Sequence, residues 1–298
     1  MGFAGRRRQV SERPRAACFG GSRVVALTAL AYGVSLAGCA DTTITPRPEL
    51  GRTRAARPSV TSPVQPAMPV AQPAVRTVTL GHSVKGVPLV LEVFGDGPDR
   101  VLIFGGIHGN EPTSVTLAQS LANHLRVNWD LFAGRTVAIL AKANPDGLAA
   151  RRRTNASGVD LNRNFPARNW RRAKGAGTRH GARPASEPET QAIMRAIELV
   201  RPARILSIHS TRRGTHCNNY DGPARDVAQQ MARSNGYPVR DTMGYPTPGS
   251  FGSWAGIDRG IPTITLELPR DRNATQCWRE NAAAVLGFVD AGSVTAGR

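Results

Sequence analysis

Apolar residues recur along this chain in two rhythms, and the alternation between them predicts the architecture. Val101-Leu102-Ile103-Phe104, Thr136-Val137-Ala138-Ile139-Leu140, Ile205-Leu206-Ser207-Ile208 and Ile264-Thr265-Leu266-Glu267-Leu268 are short, nearly continuous apolar runs. Such runs suit strands covered on both faces. Residues 77–80 and 87–93 flank a short polar turn and predict a hairpin. Between the runs the spacing lengthens. Leu117, Leu121 and Leu125 predict a helix over roughly 112–127, and Ile193, Ile197 and Val200 predict another. Ala224, Val227, Ala228 and Met231 mark a third over 223–234, and Ala282, Val285, Leu286 and Val289 a closing one. Alternating strands and helices predict an α/β fold: one domain over 76–298, with a mostly parallel, mixed central sheet flanked by helices on both faces.

The first 75 residues follow neither rhythm. Six arginines, from Arg6 to Arg23, precede an apolar run from Val24 to Ala37 that is too short for a stable membrane span, so residues 1–38 are read as a signal peptide. Leu36-Ala37-Gly38-Cys39 resembles the lipobox of bacterial lipoproteins. That resemblance implies cleavage before Cys39, a lipid anchor on the new N-terminus, and a membrane-anchored protein outside the cytoplasm. Residues 39–75, proline-rich and without apolar period, are expected to form an extended tether.

Charge and cysteines narrow the chemistry. The 298 residues carry a formal +18, and removal of 1–38 leaves 33 basic against 20 acidic residues, or +13. Such a surface attracts anionic partners. Nucleic acid is not expected among them, because only 5% of residues are aromatic and none are interleaved with the basic stretches as stacking platforms. Beyond the tether stand two cysteines, Cys217 and Cys277, which export would allow to pair or leave as free thiols. No cysteine cluster is available for zinc, so any bound metal takes histidine and carboxylate ligands.

Three polar clusters fall where predicted strands end, the position at which open α/β sheets bind ligands. Gly105-Gly106-Ile107-His108-Gly109-Asn110-Glu111 places a histidine and a glutamate three residues apart in a glycine-rich turn, and Ser207-Ile208-His209-Ser210 ends a later strand. Two histidines and a glutamate leave one position open on zinc, as catalytic sites do. Glu267 lies inside an apolar run, where a carboxylate is costly unless paired or used in chemistry; a solvent-facing edge position is the bland alternative. The stretch from Arg151 to Asn155, followed by Gly158 to Pro166, is too polar for core, and its guanidinium groups suit carboxylate recognition or oxyanion stabilisation.

Taken in order, Gly106–Pro112, Asn144-Pro145-Asp146-Gly147, Asp160–Pro166, Glu187-Pro188-Glu189-Thr190, Ile208-His209-Ser210 and Thr265–Pro269 resemble the motif series of the zinc carboxypeptidase family. The resemblance is to its bacterial murein peptide amidase branch and spans 76–298. It implies a Zn2+ enzyme with His108, Glu111 and His209 as ligands and Glu267 as general base. By the same resemblance Arg153 stabilises the oxyanion, Asn162 and Arg163 grip a free carboxylate, and Tyr245 stands near the family's mobile substrate tyrosine, although its distance to Gly249-Ser250 is one residue shorter than in the pancreatic enzymes. Asp146 is expected to partner a ligand histidine, whereas His82, His124, His180 and His216 are expected to serve surface or packing roles. The implied substrate is a peptide with a free carboxylate. The murein amide between γ-D-glutamate and meso-diaminopimelate is the leading expectation, and removal of C-terminal residues from ordinary peptides is the alternative.

Overall fold

The computed structural model describes residues 75–128, 133–173, 180–211 and 214–292. The expected signal peptide, lipobox and nearly all of the tether lie outside the described residues. The hairpin is present as β1 (Arg76–His82) and β2 (Pro88–Phe94). The apolar runs form β3 (Asp99–Gly105), β4 (Arg135–Leu140), β5 (Arg204–Thr211) and β8 (Thr263–Pro269). Two strands that the apolar pattern does not announce, β6 (Cys217–Asp221) and β7 (Val239–Arg240), complete an eight-stranded sheet in the order β1-β2-β4-β3-β5-β8-β6-β7. Neighbours from β4 through β8 run parallel, β2 meets β4 and β6 meets β8 antiparallel, and the sheet is therefore mixed about a parallel centre.

Side chains alternate across these strands, so each central strand feeds two cores. Val101, Ile103, Val137, Ile139, Leu206 and Ile208 pack beneath α1 (Pro112–Val127), α4 (Arg225–Asn235) and α5 (Ala274–Asp290). Leu102, Phe104, Ala138, Leu140 and Ile205 face α3 (Pro188–Val200) and an aromatic group made by Phe165, Phe251 and Trp254. Trp254 belongs to a wide helical turn over Gly252–Asp258 that the sequence pattern does not foretell. Phe251 stands edge-on to Phe104 at 4.8 Å and to Phe165 at 5.2 Å, giving the loop that carries Asn162 and Arg163 a rigid floor. Cys217 and Cys277 are both buried and both free. Among the described residues no helix is long and apolar enough to cross a membrane.

Chain order reverses at the centre of the sheet. From β3 the chain passes through α1 to β4 on one side, then through α3 to β5 on the other. Such a switch opens a crevice beyond the strand ends, where no connection crosses.

Candidate active site

The loop after β3 owes its shape to glycine. Gly106 turns the chain at φ +68°, and a Cβ on Gly109 would lie 1.9 Å from the carbonyl carbon of Gly147, so the loop presses directly on α2 (Pro145–Ala149). Asn144 locks that contact: its side chain accepts from Gly147 N–H at 2.9 Å and donates to the carbonyl of Ile107 at 3.2 Å. Ser114 donates to Glu111 O at 2.6 Å and accepts from Gly106 N–H at 3.0 Å, closing the loop onto the first turn of α1. Glu111 makes no cap with its side chain, which turns instead into the crevice. On β5, His209 lies level with Glu267 of β8, and the two project from neighbouring strands on one face.

These elements bring His108, Glu111 and His209 together. Their donor atoms lie within 4.8 Å of one another, and all three residues are buried. His108 Nδ1 is 2.9 Å from Glu111 Oε1, and His209 Nδ1 is 3.2 Å from both Glu111 Oε2 and His108 Nδ1. Nε2 of His108 is 3.1 Å from Asp160 Oδ1. Donation of that ring proton to Asp160 leaves the Nδ1 lone pair facing a carboxylate and a second imidazole nitrogen. His209 Nε2 is buried without a partner among the described residues, so its polar contacts too are on the Nδ1 side. Converging electron pairs of this kind repel in a dry site unless a cation stands among them, and two histidine nitrogens with one carboxylate are a zinc donor set.

The electrostatics follow from the same contacts. Without zinc, a proton takes the cation's place: burial disfavours the His108 imidazolium, but Glu111 and Asp160 outweigh it and raise the pKa to about 9. Burial also opposes ionisation of Asp160, and His108, Arg153 and Arg163 overcome it, so the carboxyl sits far below its ordinary range. Glu267 moves the other way: burial, with the negative charge of Glu111, raises it. Opposite Glu267, burial and that same carboxylate push the Cys217 thiol up to about 11 and keep it neutral.

Asp160 also organises the substrate side of the cleft. It takes Arg153 Nε at 2.8 Å on Oδ2, and the backbone N–H of Asn162 at 3.0 Å on Oδ1 beside His108. Asn162 accepts from Phe251 N–H at 2.8 Å, while Arg163 donates to Asn162 O at 2.6 Å and stands beside Tyr245. Tyr245 is exposed on the cleft wall. All eight residues expected at the site, including Glu267, line one cleft.

The sequence profile of the zinc carboxypeptidase family matches residues 71–282. This chain belongs to that family. Murein peptide amidase A of Escherichia coli K12 is 34% identical over 210 residues, covering 63% of this chain and 79% of the relative. Its counterpart in Vibrio campbellii is 32% identical over 203 residues, covering 63% and 77%. The crystal structure of murein-tripeptide amidase from Escherichia coli O157 matches with a TM-score of 0.58 at 31% identity, covering 72% of this chain and 91% of that one. Bovine thrombin-activatable fibrinolysis inhibitor, at 20% identity and a TM-score of 0.62 over 73% of this chain and 90% of that one, shares the fold. With the donor set in place, the chain is a zinc metallopeptidase that acts on peptide amides.

One expectation is corrected. Asp146 does not partner a ligand histidine: it accepts from Ser83 Oγ and Lys85 N–H, both at 3.0 Å, and so fixes the turn between β1 and β2. The partner is Asp160, three residues before Arg163, in a stretch whose arginine and asparagines drew attention away from its acid. His82, His124, His180 and His216 stand outside the ligand set, His124 against Trp278 and His216 against Tyr237.

Two further cleft residues escape sequence reasoning. Asp221, at the end of β6, pairs with Thr263 across the ladder, four residues from Glu267. That is about 13 Å deeper along the strand at roughly 3.3 Å per residue. Its one side-chain hydrogen bond is a long one from Asn219, at 3.3 Å, and no basic side chain pairs with it among the described residues, so burial pushes its pKa up to about 6. Gly252 and Gly256 make room for it, since a Cβ on Gly252 would lie 2.1 Å from its carboxylate. At the opposite end, Arg270 follows β8 and reaches back over Ser210 O at 3.1 Å to Glu111 Oε1 at 3.3 Å.

Proposed function

We propose that this enzyme hydrolyses the amide between γ-D-glutamate and meso-diaminopimelate in murein peptides. The observation that carries the reading is the placement of opposite charges along one cleft. Arg163 and Asn162 stand near the reacting centre, and Asp221 waits deeper without a cation. Diaminopimelate presents a carboxylate next to the scissile nitrogen and, at the far end of its side chain, an ammonium beside a second carboxylate; the ammonium is the complement of Asp221. A half-buried carboxylate with no basic partner among the described residues is costly unless a ligand cation completes it. The murein peptide amidases among the relatives support the same substrate class. A C-terminal lysine or arginine on an ordinary peptide would also answer Asp221, which keeps the carboxypeptidase reading as the alternative.

His108, Glu111 and His209 would hold zinc, which when bound would supply Lewis acidity and a more acidic water. Glu267, with its affinity for protons raised by burial, accepts a proton from the attacking water and returns it to the departing amine. Arg153, oriented by Asp160, donates to the oxygen of the scissile carbonyl as negative charge develops there. Asn162 and Arg163 hold the carboxylate of the leaving residue, Arg163 through a bidentate pair that a lysine reproduces poorly. Tyr245 covers the leaving residue from the cleft wall. The mature chain is anchored through a lipid on Cys39, outside the cytoplasm, where its basic surface meets acidic wall fragments.

The test offers zinc-loaded enzyme the tripeptide L-Ala-γ-D-Glu-meso-diaminopimelate beside α-linked peptides of similar length ending in lysine or leucine. Release of free diaminopimelate with little α-peptide cleavage is expected. Preference for the α-linked lysine peptide would move the assignment to a carboxypeptidase.

A further inference from the structure

Three guanidinium groups line the cleft, and the mechanism uses only two of them. Arg153 is bound to Asp160 and Arg163 is assigned to the leaving residue, while Arg270 has no part in either. Arg270 sits on the other side of the reacting centre from Asp221. In the register of β8, Asp221 lies level with Thr263, four residues before Glu267, and Arg270 lies three residues after it. A substrate whose leaving residue points toward Asp221 therefore sends its acyl portion past the carboxyl ends of β5 and β8, where Arg270 stands.

The side chain is built into place. The Arg270 N–H donates to Thr211 O at 3.0 Å, joining the two strand ends, and Nε donates to Ser210 O at 3.1 Å. Nη2 makes a 3.3 Å contact with Glu111, a carboxylate whose charge a metal would share. Nη1 has no hydrogen-bond partner among the described residues, and the side chain is 41% exposed to the cleft. The guanidinium is thus held by one edge and offered by the other, a short distance from where the scissile carbonyl must lie.

We propose that Arg270 is a specificity residue that binds a free carboxylate on the acyl side of the scissile amide. The inference rests on the murein reading above and names the group that separates γ-D-glutamyl from α-linked substrates. In a γ-glutamyl amide the α-carboxylate stands four bonds from the scissile carbonyl carbon, whereas an ordinary α-linked residue presents a backbone amide on that side. Arg270 reads that carboxylate, and a substrate whose D-glutamate carries an α-carboxamide leaves the guanidinium without its charged partner.

The experiment compares kcat/KM for L-Ala-γ-D-Glu-meso-diaminopimelate with kcat/KM for the same tripeptide bearing an α-carboxamide on D-glutamate, in wild type, Arg270→Gln and Arg270→Lys. The ratio of the two is independent of the fraction of enzyme that is folded or zinc-loaded, so a loss of stability does not mimic the effect. Wild type is expected to favour the free acid by about tenfold or more, the cost of a missing partner at a polar site. Arg270→Gln is expected to bring the ratio close to one, and Arg270→Lys to keep part of the preference, with both ratios persisting at high ionic strength. No preference in wild type, or an unchanged ratio in both variants, overturns the assignment of Arg270. If wild type fails to cleave the free-acid tripeptide while cleaving α-linked peptides, the murein reading itself fails.

Discussion

Asp160→Asn is the most informative single change, because one carboxylate serves three donors. Oδ2 takes Arg153 Nε at 2.8 Å, and Oδ1 takes His108 Nε2 at 3.1 Å and Asn162 N–H at 3.0 Å. The amide keeps only one acceptor oxygen. Turned toward His108 and Asn162, it preserves two bonds but sets its NH2 against the Arg153 N–H, donor facing donor. Turned the other way, it loses two bonds to keep one, so the first orientation wins and Arg153 is released. Loss of a charge-assisted bond costs about 1.5–3 kcal/mol, and misplacing one oxyanion donor costs roughly 10²–10³ in kcat. Without the negative charge behind it, His108 is also a weaker base, and loss of such a ligand partner typically lowers metal affinity about 10–100-fold. Two assays separate the effects: zinc affinity by competition with a chelator, and turnover at saturating zinc. Turnover of the zinc-saturated variant within about threefold of wild type would refute the orienting role of Asp160. Asp146→Asn is the control, expected to lower Tm through the β1–β2 turn and to leave zinc affinity unchanged.

Glu267→Gln preserves size and removes the base; it should retain zinc while kcat falls by about 10²–10⁴, and near-normal turnover would remove Glu267 from the mechanism. Arg163→Lys should raise KM for substrates with a free carboxylate on the leaving residue, lowering kcat/KM about tenfold, while an amidated substrate loses less. Asp221, with a folded pKa of about 6 above its ordinary 3.8, contributes stability that is full below pH about 4 and lost as pH rises through 6. Asp221→Asn should therefore be more stable than wild type by a margin that grows from pH 4 to pH 8, to about 1–3 kcal/mol at the upper end, as read from unfolding curves at each pH, and a gap independent of pH would show that its burial is not the cause. Cys39→Ser should move the protein from membrane to soluble fractions, since stable anchoring needs the lipid chains; identical fractionation of the two forms would remove the anchor.

The parts of the fold legible in sequence are those where apolar burial writes the pattern. β3, β4, β5 and β8 are buried on both faces, and their runs of Val, Ile and Leu admit few other readings. β6 is Cys-Asn-Asn-Tyr-Asp, silent to that test, because Asn219 and Asp221 face the cleft and Asn218 spends its side chain on Tyr237 O and Asn235. The wide turn at Gly252–Asp258 is too short to show a helical period. At the site, the ordered motifs point to the ligands and to Glu267, the same resemblance to Arg153, and the structure gathers them around one cleft. Asp146 and Asp160 look alike as acids in polar stretches, and only the path of the chain decides which faces His108. Asp221 and Arg270 lie outside any motif, and their roles come from register across the sheet.

The donor set straddles the switch at the middle of the sheet, with His108 and Glu111 following β3 and His209 standing on β5, 98 residues beyond Glu111. Neither half can hold the ion alone, and the seam between β3 and β5 closes only after a long loop has been ordered, the slow kind of step in folding. Metal uptake is consequently a late event in the life of each molecule. A newly made chain is inert toward its neighbours until the centre of the sheet has zipped. From then on, the captured ion adds its binding energy to the native state alone, so that maturation and the onset of hydrolysis coincide.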